Sequence, residues 1–493
     1  MIDRRLFLAE LAAGAAGLIA GGPLLAADRL AGPVPPPVRI RGRVTRSGRA
    51  AGGVAVSDGL GVVRTDPDGF FELVSSRRYE TVFVTVPADC RIPRSASGTA
   101  RIHRHIRPDA GDSMEIHFAL EALPGGSDRH HLFAIGDPQI QDDEDIRLLH
   151  EEAVPDLRAA ATALAGGETF GVALGDIMYD RPALWPDWER AVERTGITCL
   201  QVPGNHDVDP GARTDRGSLA TYVRRAGPTH YSFDRGAVHY VVLDDVFWFG
   251  GYLGYVDRDQ LDWLARDLAL VDRGRPVVLF MHIPPWTEGP RRAGRASPGE
   301  RVHIVNREAL YELIEPWPAR FVCGHLHEVE TLRDGNAAID TCGALCGAWW
   351  TGPICSDGSP RGFMIYTIDG ESITRRYRAL GEPAETRMRL YPPGADPERP
   401  GAVVANIWEA DARWRVVRYE DGERRGPMPR HDGFDPLAVQ LFRGDDRPAR
   451  RSWVEPMPTA HLFSAVPSPG AREIVVEASG PAGELVRGRI DLR

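Results

Sequence analysis

The sequence predicts an α/β core held between two all-β regions, and three observations predict it. From about residue 128 to 378, short apolar runs alternate with stretches of helical spacing. Polar residues stand just past the ends of those runs, the pattern of α/β proteins, whose ligands bind at the carboxyl ends of strands. On either side of this span the apolar residues fall instead in short alternating runs separated by turns. The chain has 493 residues, 43% of them hydrophobic and 26% charged, enough for two to four domains of ordinary soluble composition.

Met1 to about Ala27 (1–27) reads as an export signal. Arg4-Arg5 precedes Leu6-Phe7-Leu8 and a weakly apolar run, and Ala26-Ala27 offers a cleavage site. The paired arginines resemble a twin-arginine signal, which implies a periplasmic protein. No later stretch is long and apolar enough to span a bilayer, so no transmembrane span is expected once the signal is removed. After a proline-rich linker, a β-sandwich is expected over 38–123. Its strands are Val38–Val44, Val54–Ser57, Val62–Thr65, Phe70–Val74, Thr81–Val86 and Met114–Leu120. Val54-Ala-Val-Ser-Asp-Gly and Val63-Arg-Thr-Asp-Pro-Asp-Gly-Phe-Phe resemble the carboxypeptidase-regulatory-like or transthyretin-like module. The module carries no acid/base or metal cluster and reads as a spacer or interaction domain.

The catalytic domain is expected over 128–378. Its strands are Leu132–Ile135, Phe170–Leu174, Ile197–Val202, His239–Leu243, Val277–Met281 and Arg320–Cys323. Helices are predicted over Asp145–Leu164, Arg258–Val271 and Arg307–Ile314. A second β domain is expected over 380–493, opened by the proline-rich stretch Tyr391–Pro400. Its predicted strands are Val403–Trp408, Trp414–Tyr419, Ala438–Phe442, Leu462–Val466 and Glu473–Glu477.

Composition excludes several chemistries. Acidic residues number 69 and basic residues 59, a formal charge of −10, which argues against a broad nucleic-acid-binding surface. All the basic residues are arginine. Without lysine there is no Schiff base, no pyridoxal-phosphate anchor, no Walker-A lysine and no kinase-type phosphate lysine. Of the six cysteines, Cys342, Cys346 and Cys355 stand close enough for one local disulfide, and their spacing fits no common zinc site.

Five blocks fall at strand ends. They are Gly136-Asp137-Pro138-Gln139, Gly175-Asp176-Ile177-Met178-Tyr179-Asp180, Gly204-Asn205-His206-Asp207, Phe280-Met281-His282-Ile283-Pro284 and Gly324-His325-Leu326-His327. Carboxylates, an amide and imidazoles are ligands that Mn²⁺, Fe or Zn²⁺ accept. The adjacent glycines permit tight turns and close backbone approach. Each block alone is commonplace; five in this order are not.

With these blocks the sequence resembles the calcineurin-like metallophosphoesterase superfamily over roughly Arg129 to Arg378. The flanking β regions and Gly347-Ala348-Trp349-Trp350-Thr351-Gly352 are similar to a bacterial exported subgroup. The resemblance implies a four-layer α/β/β/α sandwich with two divalent or mixed-valence metal ions (Mn, Fe or Zn). Asp176 would bridge them. Asp137 and His327 would complete one site, and Asn205, His282 and His325 the other. His206 would protonate or stabilise the leaving oxygen, with Asp207 orienting its imidazole. A hydroxide shared by the metals would attack a phosphate mono- or diester of small size.

Most of the family shows Asp-x-His in the first block, whereas this chain has Gln139. Either Gln139 offers its amide oxygen, or Tyr179 fills the coordination, since Gly-Asp-x-x-Tyr is similar to purple acid phosphatases. Trp349 and Trp350 are candidate walls of the substrate pocket, and packing in the core is the alternative for one of them. The loop Arg291-Arg292-Ala-Gly-Arg295 reads as solvated. Two further functions compete with the ester hydrolase. One is a nucleotide pyrophosphate hydrolase on the same site. The other is a carbohydrate or surface interaction protein with a degenerate core, which only Gln139 favours.

Overall fold

A computed structural model describes residues 37–492 apart from 108, 110, 165 and 446. The expected export signal lies outside the described residues. The core holds two β-sheets. In the first, strands run in the order Thr198–Val202, Glu168–Leu174, Arg129–Ile135, Gly362–Asp369, Ser372–Ala379; the first three are parallel and the last two antiparallel. The second sheet has the order Tyr231–Arg235, Val238–Val242, Val277–Met281, Ala319–Cys323, Ala337–Thr341, Glu330–Asp334.

Strand periodicity explains the layering. Side chains alternate between the faces of a strand. Leu132 and Ala134 enter the apolar cluster between the sheets, whereas Phe133 and Ile135 enter the cluster beneath helices. The helical run from Asp143 to Ala163, with a π-helical turn at Leu149–Ala153, and helix Trp185–Thr195 cover the first sheet. Helices Arg258–Leu268 and Arg307–Ile314 bury Trp263, Leu264, Leu310 and Ile314 against the second. The result is the α/β/β/α sandwich, flanked by β-rich regions. Sheet meets sheet through Phe170, whose ring lies edge-on to Phe233 and Tyr240 at 5.6 and 5.8 Å.

The N-terminal region forms two small sheets, one built on strand Pro37–Arg46. It also extends the edges of both core sheets. Val86 bridges to Phe233, and Thr99 to Cys199. Unpaired edges invite aggregation, and these bridges cover them. The C-terminal region packs two four-stranded sheets.

One expectation fails here. Ala438–Phe442 is not a strand but part of helix Pro436–Arg443. Asp435 caps it by accepting from Ala438 N, and Pro436 occupies its first turn. Ala438 and Phe442 then recur four residues apart on one buried face. Of the two states open to the cysteines, burial without pairing holds: all six are buried free thiols. Among the described residues, no helix is long and apolar enough to cross a membrane.

Candidate metal centre

All five sequence blocks meet at the carboxyl ends of core strands. Asp137 follows Arg129–Ile135, Asp176 follows Glu168–Leu174, and Asn205 follows Thr198–Val202. His282 directly follows Val277–Met281, and His325 follows Ala319–Cys323. The turns that aim these side chains are strained. Asp137, Gln139, Asp176, Asp180, His325, His327, Trp349 and Trp350 all have φ between 40° and 73°, a region that costs non-glycine residues of order 1 kcal/mol each. Glycine is required beside them. A Cβ on Gly204 would stand 2.0 Å from Asp176 N, and one on Gly175 would meet His282 Nδ1 at 2.5 Å.

Each loop is tied to a carboxylate of another. Asp137 accepts from His325 N at 3.0 Å, and Asp176 Oδ1 from His206 N at 2.8 Å. Asp245, which carries no sequence motif, accepts from His282 N and Ile283 N at 3.2 and 2.7 Å. Asp207 accepts from Met178 N and Gly204 N, both at 2.9 Å.

His282 Nε2 lies at the centre of one cluster. Asp176 Oδ1 is 3.2 Å away, Asn205 Oδ1 3.1 Å and His325 Nδ1 3.0 Å. The ligand-type atoms of Asp176, His282 and His325 all lie within 4.8 Å of one another. His327 Nε2 is 3.6 Å from Asp137 Oδ1 and is buried without a hydrogen-bond partner. In all three imidazoles the other nitrogen is committed. His282 Nδ1 donates to Leu174 O at 2.8 Å, His327 Nδ1 to Gly347 O at 2.6 Å and His325 Nε2 to Arg301 O at 2.7 Å. Such bonds fix ring tautomer and leave the facing nitrogen's lone pair for a cation. The donor set, its convergence and the orphaned His327 nitrogen therefore fit metal ions.

The carboxylates of the site favour positive charge at His282, a proton that a bound cation would displace. Burial lowers the His282 imidazole's pKa, but Asp176 beside it reverses the effect and raises it to about 10. The same pairing holds Asp176 well below the usual carboxylate range despite its burial. Burial and the Asp176 charge push Asp137 up to about 8. Burial lowers His325 to about 3 and His327 to about 4, so both stay neutral, as ligands must.

Two expected roles change, those of Asp207 and Arg292. Asp207 does not orient His206; its carboxylate is spent on backbone amides. Asp180, four residues after Asp176, lies 2.9 Å from His206 Nδ1 and takes that role. Gln139, one of the two candidates for the missing ligand, donates Nε2 to Asp176 Oδ2 at 2.7 Å. Tyr179, the other candidate, packs edge-on against His206 with ring centroids 4.4 Å apart. Arg292 is no solvated residue: it is buried against Glu328 at 2.6 Å and also pairs with Glu330.

The two tryptophans divide. Trp350 is buried, donating Nε1 to Pro138 O at 2.9 Å and so bracing the first loop. Trp349 is half-buried and stacks on His327 with centroids 4.2 Å apart. Arg301, whose carbonyl holds His325, lays its guanidinium over Tyr252, 5.4 Å from the ring centroid. A separate cavity of about 780 Å³, lined by Arg91, Arg94, Glu121, Arg129 and Thr198, lies between the N-terminal region and the first sheet, away from this chemistry.

Three family models match successive parts of the chain. The family model for the calcineurin-like phosphoesterase matches residues 130–329. The models for the N-terminal and C-terminal parts of calcineurin-like phosphoesterases match 38–123 and 341–485. Purple acid phosphatase 23 of Arabidopsis thaliana is 29% identical over 176 residues, covering 33% of this chain and 36% of that protein. Purple acid phosphatase 15 of the same plant is 27% identical over 177 residues, 33% and 31% of the two chains. The chain thus spans about a third of the length of the curated relatives it matches. A solved purple acid phosphatase from yellow lupin (Lupinus luteus) seeds is 14% identical with a TM-score of 0.39, covering 70% of this chain and 67% of that one.

Proposed function

The chain belongs to the calcineurin-like metallophosphoesterase superfamily, and from that premise we propose that it hydrolyses small phosphate mono- or diesters with two metal ions. The observation that carries this reading is the convergence of Asp176, Asn205, His282 and His325 on one point, each imidazole locked by a carbonyl on its far side. Asp176 would be the ligand shared with a second ion, which Asp137 and His327, 3.6 Å apart, would hold. Bound there, divalent ions supply Lewis acidity toward an anionic phosphate and activate water.

The chain's own residues do the rest. Gln139 fixes the second oxygen of Asp176. Asp180 holds His206 by Nδ1, which leaves Nε2 to carry a proton to the leaving oxygen. Arg301 has no carboxylate partner among the described residues, so its charge is available to phosphate in a protein without lysine. The paired arginines near the start of the chain support export to the periplasm by the twin-arginine route. The proposed domains are 38–123, 128–378 and 380–493, the middle one including strands Gly362–Asp369 and Ser372–Ala379 because they pair into its first sheet.

Metal analysis and turnover of mono- and diester substrates, run beside Asp176→Asn, test the proposal. Loss of both metal and activity is the expected result. An Asp176→Asn variant with wild-type turnover would sink it. Periplasmic protein whose N-terminus still begins at Met1 would remove the cleaved export signal.

A further inference from the structure

Residues 450–454 belong to the C-terminal region, yet they reach the metal centre. Arg451 donates to Asp145 Oδ2 at 2.7 Å, to Gln141 Oε1 at 3.1 Å and to the carbonyl of Trp349. Its guanidinium also lies 5.7 Å from the centroid of Tyr179. Arg450 reaches the same Asp145 and Asp142, at 2.6 Å each. The segment is thereby pinned, with Arg451 itself held at φ 53°. Two residues on, Trp453 stands edge-on to Trp349 with centroids 4.5 Å apart.

The rings His327, Trp349 and Trp453 therefore form a ladder that runs outward from a metal ligand to solvent. Its first step is nearly parallel, at 19°. Its last ring is 53% exposed, and Trp453 is the one tryptophan among the large exposed apolar residues described. Both neighbouring arginines are already neutralised by Asp142 and Asp145, so the end of the ladder offers π surface rather than charge.

We propose that Trp453 is a stacking platform for a planar ring in the leaving group of the phosphoester, making it a specificity-determining residue supplied by the C-terminal region. The inference rests on the phosphoester-hydrolase reading. With phosphate at the metal centre, a flat ring joined through the ester oxygen extends along the ladder and covers the exposed indole. Aromatic faces bind such rings without regard to their hydrogen-bonding edges. Arg451 is a positioning residue: it sets Trp349 and Trp453 without facing substrate.

The test compares wild type, Trp453→Ala and Trp453→Phe, metal-loaded, on phenyl phosphate and glycerol phosphate. In Trp453→Ala the KM for phenyl phosphate rises about tenfold, while that for glycerol phosphate and both kcat values stay within about twofold. Trp453→Phe recovers most of the loss. Equal shifts on both substrates, or none on either, overturn the platform, because a merely structural role would act through Trp349 and His327 on every substrate. Phenylphosphonate and methylphosphonate, titrated calorimetrically, separate the two readings. Trp453-dependent preference for the phenyl compound without turnover leaves the platform standing and removes the hydrolase. Turnover without that preference does the reverse. Neither turnover nor preference overturns both.

Discussion

Where the N-terminal region meets the core, Val82, Phe83 and Val86 vanish into the apolar cluster that also holds Phe170, Phe233 and Tyr240. Backbone pairing at Val86 and Thr99 completes that seam. Where the C-terminal region meets the core, Ala348 and Ile354 pack on Ala438, Phe442 and Val454, and buried polar groups join this apolar patch. Arg451 meets Asp145, and Arg292 meets Glu328 while donating to Pro458 O at 3.0 Å. His461 joins Asp357, at 3.1 Å, to Asn406, at 2.7 Å, and Glu409 accepts from Tyr377 N at 2.6 Å. Apolar burial is non-directional and holds two bodies together. Buried ion pairs and hydrogen bonds add little net stability, but they fix register and orientation. The first seam thus rests mainly on cohesion, and the second adds directional bonds that place Trp349 and Trp453 beside His327.

The sharpest way to break this contrast is Phe83→Ala. Its ring is 1% exposed and packs edge-on to Trp263 at 6.0 Å. The truncation is expected to cost about 3–5 kcal/mol in urea unfolding, with KM unchanged in the folded fraction. A KM shift larger than the loss of stability would mean that the first seam also shapes the site.

Beside the first seam the core holds a buried titrating group. His239 sits between Asp234 and Asp267, 2.9 Å from each. Arg275 bonds to Asp234 at 2.8 Å, and Ser232 donates to Asp267 at 3.0 Å. Burial lowers His239, but the two carboxylates outweigh it and raise its pKa from 6.5 to about 9. A raised folded pKa means that the stabilisation is full below pH 6.5 and is lost as pH climbs through 9. The loss amounts to about 3 kcal/mol across that window. Melting temperatures at pH 6.5 and 9.5 check it, and His239→Gln is expected to flatten the difference.

How far the sequence reached follows the same physics. Strand ends, glycines and the ligand blocks are local, and they were legible: Asp137, Asp176, Asn205, His282, His325 and His327 do gather at one end of the core. Helix Pro436–Arg443 was misread because five apolar-rich residues suit either state, and only the Asp435-Pro436 cap decides between them. Asp180 stood inside a recognised block without a task, since its spacing from Asp176 says nothing about a histidine 26 residues away. Asp245 and Arg451 are long-range partners, with no local signal to find them by. The positive φ values of Trp349 and Trp350 were equally hidden, because bulky residues rarely occupy that region.

On the second seam, Arg451→Met leaves Asp145 buried with Arg450 alone. Breaking a buried pair typically costs about 3–5 kcal/mol, and the surviving Arg450 bond at 2.6 Å should hold the loss to about 2 kcal/mol. Here the prediction inverts that for Phe83: KM for phenyl phosphate rises by more than the stability change requires, because the carbonyl of Trp349 loses its donor. Stability loss with unchanged KM would return the segment to a purely structural role.

The smallest expected effects test whether burial, rather than the mere presence of ions, separates the seams. Each seam has an exposed pair at its rim. Arg78 and Asp259 tie the N-terminal region to helix Arg258–Leu268, with side chains 48% and 37% exposed. Arg291 and Asp432 link the core to the C-terminal region, 62% and 38% exposed. Water and salt screen such pairs, and each is worth about 0–1 kcal/mol. Arg78→Ala and Arg291→Ala are therefore expected to match wild type within about 0.5 kcal/mol in stability and to leave KM unmoved. If Arg291→Ala shifted KM as Arg451→Met does, orientation of the C-terminal region would depend on its charged rim, and the buried bonds at Asp145 would lose their special place in setting the site.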